Sequence, residues 1–211
     1  TLAPRNWTTV KSKVAGELNA ILVREGQSVR SGQVLARIDT QDAQARVDEK
    51  IADLEGGRAQ LALADKNRAN NLALLKQNFI SQNAFDSVNS NYQVSEARLK
   101  AMEAQVAVAR KALADTVVAA PQAGIVSQRH AQPGEKLPID GKILTLVDLA
   151  EMEVEAAVPA GDIPSIRVGQ DVSFRIEGFG ERGFIGRIDR INPATQTGSR
   201  SILVYAMLPN R

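Results

Sequence analysis

Apolar positions change their period twice along this chain. Phe85, Val88, Tyr92, Ser95, Leu99, Met102, Val106, Ala109 and Leu113 recur at alternating spacings of three and four. Held over more than four heptads, that rhythm keeps one stripe of a helix facing a partner and predicts a coiled coil. Thr40 to Leu75 carries the rhythm less cleanly. Val47, Ile51, Leu54, Leu61, Leu72 and Leu75 fall on it, with Arg58, Asp65 and Arg68 as lapses. On both sides of this block the pattern shortens to β-runs separated by Gly turns: Ile21 to Val23, Val34 to Ile38, Gly124 to Gln128 and Ile143 to Val147. From Glu151 it changes again. Met152 to Val158 alternates, Pro159 to Gly169 predicts a short helix or turn, and Val172 to Ile176, Phe184 to Ile191 and Ser201 to Leu208 predict further strands. Gly178 and Gly180 mark a hairpin turn, and Asn192-Pro193 to Gly198 a longer loop, so this last segment predicts a small β-barrel.

The helical block has no proline and two glycines, Gly56 and Gly57. Each half is about 35 residues, or ~50 Å at 1.5 Å per residue. Equal lengths are what an antiparallel hairpin rooted on one platform requires. Asp39 or Thr40 can cap the first helix, with Asp42 beside its positive end. The turn falls within Lys76 to Asn83, where Ser81 suits the N-cap of the return helix. Phe79 and Ile80 sit in that turn and either seal the end or wait for a partner. Each glycine costs about 1 kcal/mol relative to Ala; the pair is either a tolerated weakness or a point where the arm bends.

The flanking β-runs are two copies of one pattern. Gly16 answers to Gly124 and Gly26 to Gly134; one residue out of step, Leu35 answers to Leu144, Ile38 to Val147 and Asp39 to Asp148. Gly26 and Gly134 occupy matching turns that favour positive φ. Two such halves form a small β-sandwich with quasi-twofold symmetry, interrupted by the helical block. The halves resemble the lipoyl/biotinyl carrier fold. In carriers the modified lysine sits on the hairpin joining the halves. Here the helical arm replaces that hairpin, and Lys11 and Lys13 lie before the first half, so an active carrier is not expected.

Composition narrows the chemistry. The 211 residues leave room for one or two ordinary domains. A hydrophobic share of 44% with only 4% aromatic favours long helices over one large globule. With 26 basic and 24 acidic residues, and no Lys/Arg run or aromatic-interleaved basic patch, no nucleic-acid partner is expected. The absence of cysteine excludes disulfides, thiolate metal sites and cysteine nucleophiles in this chain. His130 is the one histidine and is expected on a strand or turn surface, which leaves a catalytic triad or multi-His metal site little to draw on. Met102, Met152 and Met207 are far apart, and Met102 lies on the heptad seam as a packing residue. No enzyme activity, cofactor or metal is therefore expected. No apolar run approaches the ~20 residues that span a bilayer, and the chain is expected to be a fragment whose targeting or anchoring segment has been removed.

The order of these parts, AGELNAILVREGQSVRSGQVLARID, then the helical arm, then VVAAPQAGIVSQRHAQPGEKL, resembles the membrane fusion protein family, the periplasmic adaptors of tripartite efflux pumps in Gram-negative bacteria. The resemblance implies an α+β, multidomain, elongated fold. Residues 1–10 would be an incoming barrel strand, 11–39 and 117–149 the lipoyl-like halves, 40–116 the α-helical hairpin, and 150–211 an incomplete β-barrel. A membrane-proximal domain would lie outside the chain. The resemblance further implies an inner-membrane transporter, of resistance-nodulation-division type, and an outer-membrane channel as partners. It implies self-association into a hexameric ring, and a periplasmic location attached to the inner membrane. An ATP-driven exporter or type I secretion system is the alternative transporter, and a coiled-coil scaffold without transport the alternative class. The family's tip pattern, Arg-x3-Leu-x6-Ser, is read as the duct contact. Here Leu74 and Ser81 fit, but the Arg position is Asn70, which lacks the guanidinium's charge and fork. The nearest arginine, Arg68, stands two residues earlier.

Overall fold

The computed structural model describes residues 1–175, 183–195 and 201–209. A first strand, β1 (Leu2–Lys11), leads into β2 (Gly16–Ile21), β3 (Ser28–Val29) and β4 (Val34–Ile38). The chain then leaves the β-structure as α1 (Gln41–Lys76) and returns as α2 (Gln82–Ala114). It re-enters as β5 (Val117–Ala119), β6 (Gly124–Arg129), β7 (Lys136–Leu137) and the long β8 (Lys142–Pro159), followed by β9 (Asp171–Arg175), β10 (Gly183–Thr195) and β11 (Ser201–Pro209).

The two copies of the repeat build the sandwich by exchanging strands. One sheet runs β5-β4-β2-β7; the other begins β3-β6-β8, so each draws on both sides of the helical insertion. Their hydrogen bonds repeat as pairs. Gly26 N–H donates to Val126 O and Gly134 N–H to Leu18 O, both at 2.8 Å; Val126 N–H donates to Gln27 O and Leu18 N–H to Glu135 O. Gly26 (φ 81°) and Gly134 (φ 87°) are both left-handed, as the matching turns require. Gly16 and Gly124 are matched for a different reason. A Cβ on Gly16 would come 2.6 Å from Ile38 Cγ2, and one on Gly124 2.7 Å from Val147 O. Between the sheets, Leu18, Leu35, Ile38, Ile143, Leu144 and Leu146 are fully buried, each contributing roughly 1.5–3 kcal/mol of apolar transfer.

β1 and β8 pair antiparallel along most of their length. Asn6 to Lys11 pair with Asp148 to Lys142 beside the sandwich core, and Leu2 to Pro4 pair with Val154 to Met152 on the barrel side. Between them a register shift lies beside Arg5, whose guanidinium meets Glu151 at 3.0 Å. β8 continues into a barrel-like sheet in the order β8-β11-β10-β9. The sequence pattern separates Ile143 to Val147 from Met152 to Val158; they are one strand, with the register shift against β1 falling between Asp148 and Met152. Asn192 to Thr195, expected in a loop, belong to β10. The first half's strand is Gly16–Ile21, and Val23 beyond it is buried without being part of it. The turn expected at Gly178 and Gly180, and the loop beyond Thr195, lie outside the described residues.

α1 and α2 form an antiparallel hairpin of 36 and 33 residues. All nine predicted seam residues of α2 face inward, with Val106 buried and the others half-buried. The seam of α1 differs from the expected one. It runs Val47, Lys50, Leu54, Gly57, Leu61, Ala64, Arg68, Asn71, Leu75, unbroken in its alternation of three and four. Arg58, Asp65 and Leu72 are exposed, so the apparent lapses at Arg58 and Asp65 lie beside the seam. Gly57 is neither a tolerated weakness nor a bending point: it is buried, and a Cβ there would stand 2.5 Å from Met102 Sδ. Gly57 is the hole for the Met102 knob, while nothing lies within 4 Å of a Cβ on Gly56.

Candidate functional site at the hairpin tip

The tip is built by the way α1 stops. Asn78 takes a left-handed conformation (φ 58°), and its N–H bonds Leu75 O at 2.9 Å, while Phe79 N–H bonds Leu74 O, also at 2.9 Å. This pair of bonds is the Schellman arrangement, which satisfies the helix's last carbonyls and reverses the chain. Ser81 then starts α2, its Oγ accepting from Ala84 N–H at 3.3 Å. The outcome is a short, hydrogen-bonded turn that presents Phe79 with 72% of its surface exposed and Leu74 with 40%. Ile80 is half-buried, so of the two apolar turn residues one is turned inward and the other outward.

Of the three positions aligned with the family tip pattern, Asn70, which departs from it, and Leu74, which fits, lie four apart, one turn from each other on an exposed face of α1. Ser81 is exposed on the other side of the turn, with its hydroxyl committed to the cap. Arg68 does not stand in for the missing arginine. It lies in the seam with its guanidinium 4.1 Å above the Tyr92 ring and Nη2 2.9 Å from Asp65 Oδ1. The tip thus offers an apolar knob and an amide where the pattern has a cation. Phe79 is the residue that matching the pattern alone passes over; its signal was an aromatic side chain, next to Ile80, in an otherwise polar turn.

The hairpin's other end is clamped. Lys111 Nζ contacts both oxygens of Asp115 at 2.8 Å, and Lys13 Nζ lies 3.6 Å away on the sandwich. The Lys111 hydrogen bonds hold the Asp115 carboxyl below its ordinary value. Thr116, buried at the root, donates its hydroxyl to Leu113 O at 2.7 Å, and Thr116 O accepts from Ile38 N–H at 2.9 Å. A groove of about 780 Å³ lies between sandwich and hairpin here, with Val108 and Ile139 exposed on its walls. Among the described residues no cluster of three or more His, Asp or Glu could hold a metal ion. No helix among them is long and apolar enough to cross a membrane.

Residues 6–148 match the family described as a CzcB-like barrel-sandwich hybrid domain, and residues 154–211 the CusB-like beta-barrel domain. The chain is 29% identical over 209 residues to the nodulation protein NolF of Rhizobium meliloti, covering 99% of this chain and 57% of that one. It is also 29% identical over 216 residues to the macrolide export protein MacA of Yersinia pestis, covering 93% and 58%. The chain thus spans a little over half the length of these relatives. The crystal structure of MacA from Actinobacillus actinomycetemcomitans superposes with a TM-score of 0.76 at 21% identity, over 100% of this chain and 71% of that one.

Proposed function

The chain belongs to the membrane fusion protein family of periplasmic adaptors, and from that premise we propose that it links an inner-membrane transporter to an outer-membrane duct in a tripartite efflux pump. Its work is assembly rather than catalysis. Copies sit side by side in a ring, with a hexamer expected by family resemblance, in the periplasm and attached to the inner membrane. The β-barrel faces the transporter, for which resemblance favours the resistance-nodulation-division type. The hairpin tips, through Asn70, Leu74 and Ser81, meet the duct.

The observation that carries this reading is the hairpin itself. Two helices of 36 and 33 residues, rooted in a split sandwich, reach ~50 Å away from it. They end in a structured turn that holds Phe79 and Leu74 in solvent. An exposed apolar tip at the end of a rigid arm suits a protein partner better than solvent. The test is drug susceptibility after deletion of the gene, with rescue by wild type, Leu74→Asp and Phe79→Asp. Wild type is expected to restore resistance and both tip variants to fail at normal protein levels. Full rescue by both variants refutes tip docking, and unchanged susceptibility across drugs, dyes and metals refutes export.

A further inference from the structure

The tip of the hairpin differs from its shaft in the kind of polar residue it carries. Residues 67–93 hold ten Asn and Gln against three charged side chains, while the rest of α1 and α2 holds four against sixteen. Each of the three tip charges has a local use. Arg68 lies in the seam over Tyr92 and beside Asp65, and Lys76 sits in the last turn of α1, at the helix's negative end. Asp86 accepts from Gln82 Nε2 at 2.8 Å. The amides have no such use. Asn67, Asn70, Gln77, Asn78, Asn83 and Asn91 are exposed, and among the described residues their side chains make no hydrogen bond.

The helices themselves give no reason for these amides. Asparagine is among the poorer helix formers, because its side chain competes for backbone hydrogen bonds, and Asn67, Asn70 and Asn91 stand in helix interiors. The shaft meets the same need for solvation with charged side chains. Asn67, Asn70 and Leu74 follow one another at spacings of three and four, so two free amides and an exposed leucine form one outward stripe leading to Phe79.

An amide differs from a cation in what it can meet. It offers donors and an acceptor without formal charge, so it pairs with backbone groups and other amides, and removing it from water costs far less than removing an ion. An arginine at position 70 would instead require a carboxylate opposite it. From the amide-rich tip and the local use of its three charges, we infer that the outer-membrane partner presents an uncharged surface to it. Backbone and amide groups surround an apolar seat for Phe79 and Leu74, and no carboxylate faces Asn70. The inference rests on the tip-docking reading and names the chemistry of the surface that reading requires. Two consequences separate it from charge-guided docking. The contact is insensitive to salt, because it holds no exposed ion pair to screen. A charge of either sign at position 70 weakens it, because that charge loses water without gaining a partner.

The test uses the full-length protein with a photo-reactive amino acid at Phe79, mixed with detergent-solubilised outer membranes of the cells that make it. The readout is the yield of covalent product with a channel protein. Between about 50 and about 500 mM NaCl that yield should change by less than about twofold. Asn70→Gln should keep it, while Asn70→Asp and Asn70→Arg should each lower it about tenfold. Ala59→Arg, at an exposed position on the shaft, should leave it unchanged, which separates charge at the tip from charge added anywhere. A loss of about tenfold in high salt, or an Asn70→Arg yield equal to or above wild type, overturns the inference and leaves tip docking standing. Absence of any channel product from position 79 overturns both.

Discussion

Gly56 and Gly57 are neighbours in the same helix, yet opposite effects are expected when each becomes alanine. Replacing an interior helical glycine by alanine stabilises by about 1 kcal/mol when the new methyl meets nothing. Gly56 meets that condition, with nothing within 4 Å of its added Cβ. At Gly57 the added Cβ would stand 2.5 Å from Met102 Sδ and 3.5 Å from Leu99 Cδ1. The first distance is more than 1 Å inside ordinary contact of about 3.5–4.0 Å. Overpacking of that kind costs about 1–3 kcal/mol. Met102 is flexible and half-buried, so the top of that range does not apply; a cost of about 2 kcal/mol is offset in part by the propensity gain of about 1 kcal/mol. Gly57→Ala should therefore destabilise by about 1 kcal/mol while Gly56→Ala stabilises by about 1 kcal/mol. Urea unfolding followed by the helical circular dichroism signal reads both. In a Met102→Ala background the clash is gone, and Gly57→Ala should then stabilise like Gly56→Ala, a coupling of about 2 kcal/mol. Equal stabilisation by both glycine variants in the native background would refute the knob-in-hole account of the seam.

Three further outcomes follow from the same geometry. Gly124→Ala should destabilise more than Gly16→Ala, because the blocking atom is the Val147 carbonyl rather than the movable Ile38 methyl, and thermal unfolding of the two variants checks the order. Removing the Arg68 guanidinium by Arg68→Met should lower hairpin stability by about 0.5–1 kcal/mol, chiefly through loss of its contact with Tyr92, measured by the same urea assay, and by less in a Tyr92→Leu background, where only the exposed Asp65 pair is left to lose. Asp115 has a folded pKa below its unfolded one, so it stabilises the fold above the unfolded value and loses that contribution as pH falls through the folded value. Asp115→Asn should flatten that part of the acid limb of a stability-against-pH curve and leave the alkaline limb unchanged.

What could be read in advance, and what could not, divides along physical lines. The α2 seam was legible because large apolar side chains dominate it from Phe85 to Leu113. The α1 seam was not, because its inward positions include Lys50, Gly57, Ala64, Arg68 and Asn71. A register chosen by hydrophobicity takes Ile51 and Leu72 in their place. In a two-helix hairpin only the shared seam is covered, so an apolar residue such as Leu63 can remain in solvent while a lysine stem lines the seam. The repeat was legible because its glycines are required twice over, by positive φ at Gly26 and Gly134 and by close approach at Gly16 and Gly124. The continuity of β8 was hidden where Asp148 to Glu151 break the alternation of apolar and polar residues, at the register shift against β1. At the tip, the Asn70, Leu74 and Ser81 spacing was visible, but Phe79 as the exposed apolar residue emerged only from the turn geometry that aims it outward.

The central claim is that the arm's tip touches an outer-membrane protein. It is tested most directly by placing a photo-reactive amino acid at Phe79 of the full-length protein and irradiating living cells. The account predicts a covalent product with an outer-membrane channel protein from position 79, and none from the same probe at Ser127 on the sandwich surface. A probe at Phe79 that captures no outer-membrane protein, in cells whose drug resistance requires this chain, would contradict it.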